Sequence, residues 1–391
     1  MRSSKKSYNY IFRNSLVFFA GALIAMPGLE ISGISASYLP CFLALIVTPR
    51  FLHRIPRVIL FLFGSGCIAF IIEVLKPTSP NFMSSRYRSI TNQINTKFAS
   101  SIESENLILW MKFSTALIGG LVLLIVAYSR GAEKVIVSGF LFGSVVSVMV
   151  GFFTLKPGEG AFVQSIGLGR TNTTFGMLCS YSIALAFVRP ISLKFRWAMI
   201  SLFMGGSLIS GSRGAALTSV ISIFLTLVWR KDLSKILIAG WSLLLALLVI
   251  IEHGSQLLFN VRVRAFTPNT SILNSNLIRD QLRDQAFRDW SYDPIGGVGF
   301  SVLTQGHSTY LQTLAAGGLL LFTAYFLTDL LTLFSAVSAQ RLGNHGYLLA
   351  LIVCSIFNHL TQNQIDIPFL YFVVGITLLE SRKALTSIRG V

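Results

Sequence analysis

Apolar stretches long enough to cross about 30 Å of hydrocarbon recur from one end of the chain to the other, separated by short polar or basic intervals. Residues 135–155 (VIVSGFLFGSVVSVMVGFFTL) and 236–251 (ILIAGWSLLLALLVII) are two of them. The pattern predicts about twelve spans, at 11–28, 32–49, 58–75, 107–128, 135–155, 174–188, 197–210, 215–229, 236–252, 307–334, 347–360 and 367–380. No internal repeat or low-complexity tract interrupts them. Residues 1–391 therefore read as a single all-α, polytopic integral membrane domain. Two longer polar stretches, 76–106 and 253–306, stand out as loops, the second between spans nine and ten.

Lysine and arginine give the spans an orientation, because short cytoplasmic loops collect them. The start MRSSKK, then RFLHRIPR (50–57), SRGAEK (129–134), RPISLKFR (189–196), RKDLSK (230–235), SAQRLGNHG (338–346) and SRKALTSIRGV (381–391) all fall on one side. Both termini are thus expected in the cytoplasm, and 76–106, 156–173, 210–214, 253–306 and 361–366 on the outer side. The basic start runs into the first apolar segment without a small-x-small cleavage site, so no removable signal peptide is expected.

Composition agrees with the pattern. The chain is 53% hydrophobic and 12% charged, and its mean hydropathy is +0.68; soluble proteins carry about 25% charged residues. The net charge of +17 would suggest nucleic acid in a soluble protein, but topology accounts for much of it, and no nucleic-acid partner is expected. Cys41, Cys67, Cys179 and Cys354 lie in apolar segments without CxxC spacing and read as small buried hydrophobes. His53, His253, His307, His345 and His359 are scattered over both sides, so no metal site is expected. Intramembrane acids are few, Asp329 falling toward the inner end of its span, which argues against a proton-driven pump.

Three outer-side features carry candidate chemistry. Ser210-Gly-Ser-Arg-Gly-Ala215 forms a tight turn between two spans, where Arg213 either binds phosphate beside a helix N-terminus or snorkels to the interface. Residues 276–290, NLIRDQLRDQAFRDW, read as an amphipathic helix. Arg279 and Arg283 share one of its faces, Arg288 follows, and Asp280 and Asp284 can neutralise it into an ordinary solvated helix. Pro294-Ile-Gly-Gly-Val-Gly299 precedes His307-Ser-Thr-Tyr-Leu-Gln312. The glycines have no strand or βαβ unit around them, so a dinucleotide site is not implied. His307 reads as an interfacial residue or as a base able to take a proton from a hydroxyl.

Taken in this order, SGSRGA (210–215), the outer-loop arginine helix, P-x-x-G-x-G (294–299) and H-S-x-Y-L-Q-x-x-x-x-x-G (307–318) resemble the O-antigen ligase/O-antigen polymerase family, bacterial membrane glycosyltransferases of the C-type (GT-C) architecture. The resemblance covers mainly 200–325. It implies a multi-pass protein of the bacterial inner membrane with its site facing the periplasm. The donor would be an undecaprenyl-pyrophosphate-linked glycan and the acceptor a sugar hydroxyl of the lipid A core, or a second lipid-linked repeat unit in a polymerase. No metal or other cofactor would be needed. The same resemblance implies that His307 is the general base, and that Arg213, Arg279 and either Arg262 or Arg264 engage the pyrophosphate, with Arg283 and Arg288 in the same series. Ligases usually have Gly, Thr or Tyr three residues after the last glycine; here Leu321 follows Gly318. From a different class, a transporter or flippase for a lipid-linked oligosaccharide would also suit many spans and a basic outer surface.

Overall fold

The computed structural model describes residues 14–31, 34–75, 102–154, 156–157, 163–169, 171–188, 192–228, 270–300, 308–343, 345–361 and 365–389. These residues are mostly helical. In chain order the helices are α1 (Asn14–Ile24), α2 (Tyr38–Phe51), α3 (Arg57–Leu75), α4 (Ile102–Ser114), α5 (Gly120–Ser129), α6 (Glu133–Phe153), α7 (Asn172–Leu185), α8 (Leu193–Ile209), α9 (Arg213–Val228), α10 (Thr270–Tyr292), α11 (Thr309–Leu342), α12 (Gly346–Thr361) and α13 (Pro368–Arg389). A π-helical turn, Thr115–Gly119, joins α4 to α5. Two small hairpins complete the set, β1 (Glu30–Ile31) with β2 (Ile34–Ser35), and β3 (Lys156–Pro157) with β4 (Val163–Gln164), both antiparallel.

Four stretches, Arg57–Leu75, Leu107–Ser129, Glu133–Phe153 and Thr309–Leu342, are long and apolar enough to cross a membrane. The protein is a helical membrane protein. Helices cover every expected span except the ninth, 236–252, which lies outside the described residues. Their starts follow local chemistry. Thr171, Ser192, Ser212 and Ser308 each accept a backbone N–H from the first turn that follows, at 3.1, 3.4, 3.3 and 3.4 Å. Caps of this kind contribute about 1 kcal/mol each. The second span begins at Tyr38 rather than 32, because Glu30–Ile31 pairs with Ile34–Ser35 and the Ser35 hydroxyl donates to the Pro27 carbonyl (2.6 Å).

Apolar burial gives little drive between helices already in lipid, so close packing holds them together. Gly139 and Gly143 of α6 admit the backbone of α1: a Cβ at either would run into Phe18 or Ala22. Phe140 of α6 stacks on Phe372 of α13, with ring centroids 5.0 Å apart and planes 10° from parallel.

Two sets of contacts tie segments together near the helix ends. At one end, Tyr128 donates to Glu380 (2.7 Å) and, just beyond these two span ends, Lys383 pairs with Glu133 (3.0 Å), joining the expected inner intervals 129–134 and 381–391. At the other, Gly28 N–H donates to the Leu168 carbonyl (2.7 Å) and Ser165 N–H to Ile209 (2.9 Å). Leu168 and Ser165 come from the expected outer loop 156–173, and Gly28 and Ile209 from the ends of the expected spans 11–28 and 197–210.

The tenth span departs from expectation. Instead of one helix over 307–334, α11 breaks at Gly317 (φ −130°, ψ 19°) and Gly318 (φ 59°, ψ −158°). Residues 309–316 form a half-helix that folds back on the long arm, 319–342. The Tyr310 ring consequently packs against Phe322 (6.2 Å), Tyr325 (6.1 Å) and Phe326 (6.2 Å). The break leaves carbonyls without helical partners, and the glycine loop supplies them. Val298 and Gly299 N–H groups donate to the carbonyls of Ala315 and Ala316 (2.8 and 2.9 Å), and Leu319 N–H donates to Pro294 (2.9 Å). The loop is itself pinned by Asp293, whose carboxylate accepts Gly296 N–H at 2.9 Å. The glycines of 294–299 thus seal a broken helix.

Candidate functional site

The turn SGSRGA links α8 to α9 as its composition suggests. Ser210 donates back to the Ser207 carbonyl (2.6 Å) and accepts Ser212 N–H (3.1 Å), while Gly211 takes a left-handed conformation (φ 66°). Arg213 is the first residue of α9. The first turn of α9 lies against the last turn of α12: a methyl group added at Gly214 would sit 3.7 Å from Thr361 Oγ1 and 3.9 Å from Phe357. One turn deeper, the Cys354 thiol meets the Thr218 carbonyl at 3.3 Å.

On the other flank of that same last turn of α12 stands the start of the half-helix. The Ser308 hydroxyl donates to the His359 carbonyl at 3.3 Å. Two helix N-termini, those of α9 and of 309–316, therefore each lie beside the last turn of α12. N-termini present free N–H groups and positive dipole ends, which favour an anion.

His307 directly precedes Ser308 in sequence and itself lies outside the described residues, as do Arg262 and Arg264. Arg279 falls within α10. Arg283 and Arg288 are exposed, and Arg283 forms a 3.4 Å ion pair with Asp280 one turn back. For Arg283 the structure thus displays the self-neutralising contact; an exposed pair of this kind contributes about 0–1 kcal/mol.

The expectation for Asp329 needs correction. It is buried, and roughly 20 Å of helix separates it from Leu342 at 1.5 Å per residue. Similar arithmetic puts His359 roughly 20 Å along α12 from Gly346, so the two meet at the same level. His359 Nδ1 donates to Asp329 Oδ2 at 2.6 Å, with both side chains at most 3% exposed. The Tyr310 hydroxyl donates to the same oxygen at 2.5 Å. His359 Nε2 faces the hydroxyls of Tyr325 (3.3 Å) and Ser355 (3.4 Å). Beside them Asn358 donates to Tyr181 of α7 at 3.1 Å. Sequence reading treated His359 as one of several scattered histidines. The available signal was an ionisable residue inside each of two apolar runs; that the two runs face one another is a tertiary fact.

Among the described residues no cluster of three or more His, Cys, Asp or Glu side chains forms a metal site. In comparisons with known proteins, no family model and no curated sequence matches the chain.

Proposed function

We propose that the protein is an O-antigen ligase: a GT-C-like, metal-independent glycosyltransferase of the bacterial inner membrane. It would move an undecaprenyl-pyrophosphate-linked polysaccharide en bloc onto a sugar hydroxyl of the lipid A core at the periplasmic face. One arrangement carries the reading. The α9 N-terminus, which begins with Arg213, and the start of the half-helix that follows His307 in sequence flank one turn of α12. The two motifs lie about a hundred residues apart in the chain, and their shared neighbourhood is what a joint site requires.

The chemistry follows from charge development. As the anomeric C–O bond breaks, negative charge grows on the departing pyrophosphate. Arginines and helix N-termini already oriented toward it stabilise that charge more in the transition state than in the ground state. Arg213 and Arg279 take this role, with Arg262 or Arg264 from the loop. His307 accepts the proton of the acceptor hydroxyl as its oxygen attacks. A single displacement inverts the anomeric carbon. The polyprenyl chain stays in the bilayer while its headgroup enters from the side.

A polymerase, with a second lipid-linked repeat unit as acceptor, uses the same steps. A transporter is the second reading, and two observations favour it: the broken helix α11 and the buried Asp329–His359 pair, features that substrate and ion pathways share.

Purified protein given defined lipid-linked polysaccharide and either lipid A core or lipid-linked repeat unit distinguishes the three. Transfer to lipid A core supports the ligase and chain extension the polymerase. No transfer with either acceptor, together with movement of the donor across vesicles, would establish the transporter.

A further inference from the structure

We propose that Asp329 and His359 are positioning residues that hold the start of the half-helix, at Ser308 and Tyr310, against α12. This rests on the reading above, in which the residue before Ser308 acts as the base.

The geometry is a closed ring of hydrogen bonds through three segments. Ser308 Oγ donates to the His359 carbonyl (3.3 Å), His359 Nδ1 to Asp329 Oδ2 (2.6 Å), and Tyr310 Oη to the same Asp329 oxygen (2.5 Å). Ser308 and Tyr310 belong to the start of the half-helix, Asp329 to the long arm of α11, and His359 to α12. All four residues are buried, at 5%, 8%, 2% and 1% exposure in that order.

Fold stability alone is a poor account of this ring. A buried polar contact recovers little beyond its own desolvation, and apolar replacements of like volume are often as stable. What the ring supplies is a fixed place for a short element. A helix of eight residues does not hold itself in shape. The C-terminal end of this one is held by the glycine loop through Val298 and Gly299. Its N-terminal end is held by the ring. A reacting group next to that end loses about a hundredfold in rate for a 1 Å displacement.

The test measures glycan transfer and amide exchange on the full-length protein in detergent. Asp329→Leu and His359→Leu should lower kcat by ~30-fold or more while KM for the lipid-linked donor stays within ~3-fold, as expected for displacement of a reacting group. His359→Asn, whose amide N–H can replace the Nδ1 donor, should recover activity to within ~5-fold of wild type on the same reasoning. Hydrogen–deuterium exchange across 309–316 should quicken in Asp329→Leu and His359→Leu and return toward wild type in His359→Asn. If Asp329→Leu fails to fold, Tyr310→Phe removes one bond of the ring and should lower kcat at unchanged melting temperature. Unaltered exchange over 309–316, or wild-type kcat in Asp329→Leu or in Tyr310→Phe, would overturn the proposal. Should the wild-type protein transfer no glycan to any acceptor, the functional reading falls, and exchange over 309–316 alone decides the positioning role.

Discussion

Replacing Gly297 by alanine tests whether the glycine loop is the seal of a broken helix. Gly297 has φ 73°, and a Cβ there would lie 2.5 Å from the Ala316 carbonyl carbon and oxygen and from Gly317 N. Those atoms are backbone, so no rotamer change relieves the contact. The left-handed conformation costs a non-glycine residue about 1–2 kcal/mol, and overpacking adds about 1–3 kcal/mol. The expected loss is thus about 2–5 kcal/mol, which at ~2–4 °C per kcal/mol corresponds to a drop of ~4–20 °C in melting temperature. A thiol-reactive fluorogenic dye reports unfolding directly, since Cys41, Cys179 and Cys354 are fully buried. Gly64→Ala in α3 is the matched control. A Cβ there meets nothing within 4 Å, and alanine is the better helix former by ~1 kcal/mol, so its melting temperature should hold or rise. A Gly297→Ala protein that melts within ~1 °C of the control would refute the sealing role, because the steric terms alone demand more.

His307→Ala should abolish transfer while binding of the lipid-linked donor is retained; turnover at the wild-type rate in that variant would end the general-base assignment. Arg213→Ala should weaken engagement of the pyrophosphate, and Arg213→Lys should restore only part of it because the bidentate fork is lost; donor-binding isotherms for the three proteins check this. Chelation of divalent metals should leave transfer unchanged, and loss of activity reversed by added Mg²⁺ or Mn²⁺ would count against the mechanism.

The amino-acid sequence by itself determined that this is a helical membrane protein, and, among the described residues, nearly where each span runs. Apolar runs longer than the bilayer core leave the backbone few alternatives to a helix. Basic intervals divided the loops into two sets, and the Glu133–Lys383 pair joins two intervals of one set. Local rules also reached the turn at Arg213, because Ser210, Gly211 and Ser212 each act within a few residues of themselves. The tertiary structure alone decided the rest. An unbroken apolar run hid the reversal at Gly317–Gly318, because the glycines fold back only when the loop 294–299, which precedes the half-helix in the chain, takes up the freed carbonyls. Asp329 looked like an isolated acid because its partner, His359, stands 30 residues away on another helix. Hydropathy records how far each residue lies from water; which buried side chain finds which partner depends on how the helices cross.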